Sequence, residues 1–285
     1  MADKPAGVLT EQTKNANAGH IDRKSQPERG LNLNNLERIP VYTIEAGSDP
    51  LLSFKERWGN LDFRRSRLTY LTLLFLLVLY PGTSLLFTDD PATMFKDLTQ
   101  SMLLLMLVST IVIQWCVFLL IYVSSYREQT GLAGLGFKRI RALDFAWAGA
   151  FLLAAIVIMT GLTWFLAQIG LPMPGEISLL IPTDPAGRVV WVAVSATAAI
   201  CEETAFRGYL LTRLRLLGKL QSWVVPTVIS AVVFGACHSY QGLPGFIVIT
   251  VYGVMLSLLY IRSGSIWPGI IAHFFQDFLA LFVPQ

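Results

Sequence analysis

The chain has 285 residues, of which 54% are hydrophobic and 14% charged, with a positive mean hydropathy. A soluble chain of this length would carry about 25% charged residues, so the composition excludes an ordinary soluble domain and points to a membrane protein. The net charge of +3 resides mostly in short basic segments beside apolar runs, where it reads as orientation and lipid contact. No basic stripe suited to tracking phosphates is present, and nucleic acid is not an expected partner.

Residues 1–67 hold 11 of the 22 Lys/Arg and 9 of the 19 Asp/Glu. The first fifty residues mix Asn, Lys, Gln, Gly, Pro and acids without an apolar period. They cannot bury enough surface to offset ordering entropy, so 1–50 is expected to be a disordered cytoplasmic tail. No apolar core for a signal peptide is found there, and Asp3, Glu11 and Asp22 argue against a transit peptide. Over 51–67, Leu51, Phe54, Trp58 and Leu61 recur at helical spacing among Lys55, Arg57, Arg64, Arg65 and Arg67. This pattern predicts an interfacial amphipathic helix, with a solvated basic linker as the alternative.

A hydrocarbon layer about 30 Å thick requires roughly 20 apolar residues per crossing. Candidate runs occupy 68–88, 101–123, 143–169, 189–212, 222–238, 246–262 and 265–283, which predicts an all-α polytopic membrane protein with about seven transmembrane helices. Lys/Arg numbers in the connections alternate: 11 before the first run, then Lys96, then Arg127, Lys138, Arg139 and Arg141, then Arg188, then Arg213, Arg215 and Lys219, then none, then Arg262. The alternation places the N-terminus in the cytoplasm and the C-terminus outside. Cys116, Cys201 and Cys237 sit in apolar runs without pairing motifs and read as small packed hydrophobes.

After Arg188 the remaining carboxylates are Glu202, Glu203 and Asp277, and the histidines of the apolar region are His238 and His273. Ionisable groups in lipid are costly unless they face a cavity or one another, so function is the default expectation for all five. Glu203 and Arg207 stand at i and i+4, suited to a buried ion pair that could serve as scaffold alone. Glu202 lies about 100° around that helix, free for other work. His273 and Asp277 are again i and i+4, so the carboxylate can orient the imidazole, and Phe234 shares a helical face with His238. Glu202 falls deep in its run and His238 near the end of a short one, which requires either misjudged span ends or a broken helix.

Taken together, Glu202-Glu203-x-x-x-Arg207, Phe234-x-x-x-His238 and His273-x-x-x-Asp277, with Gly264-Ser-Ile-Trp-Pro268 ahead of the last, resemble the CPBP intramembrane proteases. That family includes CAAX prenyl endopeptidases of the Ras-converting type and bacterial bacteriocin-processing and Abi proteins. The resemblance covers roughly 130–283. Behind the N-terminal transmembrane helices that hydropathy places over 68–129, it implies a protease core over 130–285, with an intramembrane catalytic cavity and no cofactor. It further implies Glu202 as general base, His238 as its helper in holding the attacking water, and His273 with Asp277 as the groups that polarise the scissile carbonyl. Glu203, Arg207 and Phe234 would support the site. The family commonly carries Asn where Asp277 stands. An ionised Asp cannot donate to an oxyanion, so Asp277 is expected either to hold an imidazolium or to be protonated.

The implied partners are the lipid bilayer of a plasma membrane and a membrane-associated peptide or protein. Relatives in eukaryotes cut after a prenylated cysteine, and many in prokaryotes act on unmodified substrates. Three rivals stand beside this reading. The set Glu202, His238, His273 and Asp277 could ligate zinc, although no HExxH spacing exists. The same fold could be a catalytically idle scaffold or immunity factor. A proton-relay transporter would call for an inverted repeat, and none is evident.

Overall fold

The computed structural model describes residues 63–86 and 91–282, together with the strand Arg38–Ile39. That strand, β1, pairs antiparallel with β2 (Phe63–Arg64); the other regular elements are helical. The tail over 1–50 lies outside the described residues but for β1, and so does the expected interfacial helix as far as residue 62.

Seven helices of 13 residues or more occupy the described residues: α1 (Arg67–Leu86), α2 (Gln100–Arg127), α3 (Ala142–Gln168), α4 (Pro185–Leu217), α5 (Val224–Ala236), α6 (Gly242–Ser263) and α7 (Trp267–Leu279). Five of them, α1, α2, α3, α4 and α6, are long and apolar enough to cross a membrane. Of the seven runs expected to span, five appear among the described residues as helices long and apolar enough to do so. α5 and α7 have 13 residues each, about 20 Å of helix against a hydrocarbon layer of about 30 Å. Hydropathy does not report where the backbone leaves the helix. α5 stops because the chain unwinds at His238, and α7 begins only after Gly264 has turned the chain with φ 61°.

Local chemistry sets the helix ends. Ser66 and Thr69 form a reciprocal capping box at α1. Thr99 accepts the Met102 N–H at α2, and Asp184 accepts the Gly187 N–H at 2.9 Å with Pro185 in the first turn of α4. Each such cap contributes about 1 kcal/mol. α4 is not uniform: Glu203–Leu211 is π-helical and buried throughout. π-Helical turns are rare and concentrate at functional sites.

α2 packs along α4, α5 along α6, and α7 against both α3 and α4. The π segment lies at the centre, where Phe206, Tyr209 and Leu210 join Ile121 of α2, Phe151 of α3 and Leu256 of α6. Gly253 lets α6 approach α5, since a Cβ there would lie 3.2 Å from both Ala231 Cα and Phe234 Cδ1. Leu105, Leu119, Leu153 and Val157 on α2 and α3 stay exposed, a surface that a bilayer would cover.

The far end of the π segment is fastened by a second buried ion pair. Glu128 receives Arg213 Nη2 at 2.7 Å and Nε at 3.0 Å, and also the Tyr209 hydroxyl at 2.7 Å. Its backbone carbonyl accepts the Arg64 N–H, tying β2 to the end of α2. Arg213 and Arg215, counted as connection cations in the sequence, are buried in α4. Of the cysteines, Cys201 is buried and Cys237 half-buried, but Cys116 is exposed and does not pack as expected.

Candidate active site

Glu202 ends the α-helical part of α4, immediately before the π segment. Its side chain is 12% exposed. Oε1 accepts a hydrogen bond from Gln114 Nε2 of α2 at 2.7 Å, whereas Oε2 is buried without a hydrogen-bond partner. That oxygen lies 3.9 Å from His273 Nε2.

Glu203 turns the other way. Its Oε1 receives Arg207 Nη1 at 2.8 Å and His273 Nδ1 at 3.1 Å, and all three residues are buried. Arg207 lies 4.2 Å above the Phe234 ring, which also packs edge-on against Phe206 and His238. Gly269 of α7 makes room for the carboxylate, because a Cβ there would lie 2.8 Å from Glu203 Oε2.

His273 is therefore held from the side opposite to the one its spacing suggested. Its Nδ1 belongs to Glu203, and Asp277 Oδ2 stands 3.6 Å from Nε2, beyond hydrogen-bond length. Asp277 is about a third exposed, and its backbone carbonyl accepts Trp191 Nε1 at 2.9 Å.

His238 occupies the turn between α5 and α6, just past the end of α5. Its Nδ1 lies 2.9 Å from the Phe234 carbonyl. A carbonyl only accepts, so Nδ1 carries the proton and Nε2 of the neutral ring keeps the free lone pair.

Glu202, His238, His273 and Asp277 line one cavity of about 780 Å³, with Phe234 and Gln114 also in its wall. Glu203 and Arg207 are not among its lining residues and lie behind His273 and Phe234. Three carboxylates thus approach the one imidazole of His273, and Glu203 alone of them pairs with Arg207. Among the described residues no three His, Cys, Asp or Glu side chains converge as a metal-ligand group.

Residues 184–279 match the family model described as Type II CAAX prenyl endopeptidase Rce1-like. The chain carries a domain of this CAAX protease family. The matched segment opens at the N-cap of α4 and closes with the last residue of α7, so it contains Glu202, His238, His273 and Asp277. Gln114 lies outside the family domain. No curated protein and no solved structure matches the chain.

Two residues at the site escaped the search for ionisable groups. Gln114 is an amide in an apolar run, detectable by the same rule had neutral polar groups been included. Tyr252, in the cavity wall 6.1 Å from the His273 ring, has no local signal that separates it from a packed aromatic.

Proposed function

We propose that the protein is a multi-pass intramembrane glutamic endopeptidase. A water in the cavity attacks the scissile carbonyl, Glu202 takes its proton, and the same carboxyl returns that proton to the leaving amine. The observation that carries this reading is the state of Glu202: one carboxylate oxygen is bound by Gln114 and the other is free, 3.9 Å from His273 Nε2 on the wall of a 780 Å³ cavity. A carboxylate with one oxygen held and the other free can act as general base toward a water bound beside it. His238 Nε2, the free nitrogen of its ring, accepts the second hydrogen of the water and orients it.

His273 stabilises the oxyanion. With Nδ1 occupied by Glu203, Nε2 donates only from the protonated ring, and Asp277 beside Nε2 supports that imidazolium. The family domain supports peptide-bond hydrolysis as the reaction. The substrate is a membrane-associated peptide or protein, prenylated or unmodified, and the protein sits in a plasma membrane. Its N-terminus lies in the cytoplasm, on the side where residues 1–67 gather 11 Lys/Arg.

The test is cleavage of a panel of prenylated and unmodified membrane peptides by the purified protein beside Glu202→Ala, with and without a chelator. Cleavage abolished by the substitution and indifferent to the chelator is the expected result. Cleavage that the chelator removes would reassign the four residues to a metal site, and cleavage retained by Glu202→Ala would overturn the mechanism.

A further inference from the structure

The single hydrogen bond to the Glu202 side chain among the described residues comes from Gln114, on a helix outside the family domain. Gln114 is 5% exposed and stands in the apolar run Ile113-Gln114-Trp115 of α2. Its own Oε1 has no hydrogen-bond partner, so the buried amide makes one of the four hydrogen bonds open to it. Such a group is disfavoured unless the bond it does make is valuable, and a 2.7 Å bond to a carboxylate is of the strong, charge-assisted kind. The adjacent Trp115 donates through Nε1 to Thr197 Oγ1 at 3.3 Å, which registers α2 against α4 close to Glu202.

A glutamate side chain turns about three bonds, and nothing else at hydrogen-bond distance fixes this one. His273 Nε2 at 3.9 Å is too far. We propose that Gln114 is a positioning residue of the active site: its amide holds Glu202 Oε1 so that Oε2 is the oxygen presented to the reacting water. The inference rests on the protease reading and extends the site beyond the matched segment. α2 is then part of the catalytic apparatus, although α4 through α7 carry every motif residue.

The test uses Gln114→Met, which keeps the length without the donor, and Gln114→Asn, which keeps the amide but falls one methylene short. With a peptide that the wild-type protein cleaves, both variants are expected to lose about 10- to 100-fold in kcat at unchanged KM, the scale of a misplaced catalytic group. A wild-type kcat in both, or a loss wholly in KM, would overturn the proposal. Thermal unfolding in detergent supplies a readout independent of activity. The cycle formed by Gln114→Met, Glu202→Leu and the double variant is expected to show non-additive midpoints, and additive midpoints would overturn the contact. Coupled midpoints in a wild-type protein that cleaves nothing would instead sink the protease reading while the Gln114 to Glu202 bond stands.

Discussion

The imidazole of His273 hydrogen-bonds through Nδ1 to Glu203 Oε1 at 3.1 Å, joining α7 to the first residue of the π segment in α4. The same oxygen receives Arg207 Nη1 at 2.8 Å. One carboxylate thereby neutralises a buried guanidinium and sets the ring plane of a cavity-lining histidine, which makes Glu203 a hinge between scaffold and chemistry.

Replacing Glu203 with Leu should therefore do two kinds of damage. Leaving Arg207 buried and unpaired is expected to destabilise the protein by about 3–5 kcal/mol. A double variant, Glu203→Leu with Arg207→Met, should recover much of that stability while cleavage stays lost, because His273 is still without its partner. Thermal unfolding and peptide cleavage on the three proteins separate the roles, and cleavage restored in the double variant would show that the pair is scaffold alone.

Gly269 gives a gentler perturbation of the same carboxylate. A methyl group there would meet Glu203 Oε2 at 2.8 Å, so α7 or the carboxylate must shift. Gly269→Ala is expected to cost about 1–3 kcal/mol as an overpacked contact and to reduce kcat more than KM. Unchanged kinetics in a stably folded variant would mean that the geometry around Glu203 is not limiting.

Asp277 contacts His273 from the cavity side, 3.6 Å from Nε2. Substituting Asn removes the charge and offers an amide donor in its place, so the pH profile of cleavage is expected to change shape. Activity and pH profile both equal to those of the wild type would rule out a special role for the carboxylate.

Cys201 and Cys237 adjoin motif residues, and both are at least half-buried. Combined replacement by Ala should leave cleavage within a few-fold of wild type, since the proposed water route uses no thiol. Complete loss of cleavage in a folded double variant would revive a thiol nucleophile.

What could be read from the chain follows from the range of each interaction. Apolar runs, caps such as Ser66, Thr99 and Asp184, and the i to i+4 pairing of Glu203 with Arg207 are local, because helical geometry alone brings those groups together. Burial of charge in lipid is costly enough that Glu202, His238, His273 and Asp277 stood out without any knowledge of the fold, and the structure lines one cavity with them. The sequence by itself thus determined a helical membrane protein, its family domain and the residues worth testing.

The rest was decided by contacts between helices far apart in the chain. His273 could meet Asp277 by local geometry, yet α7 packs against α4 and hands its Nδ1 to Glu203, 70 residues away. Gln114 reaches Glu202 across 88 residues, and Glu128 fastens the π segment through Arg213 across 85. Helix length belonged to the same class: α5 stops where the chain unwinds before His238 and α7 starts only after the turn at Gly264, both inside runs that hydropathy alone extends further. Periodicity reports what one helix presents, and only tertiary packing decides which helix receives it.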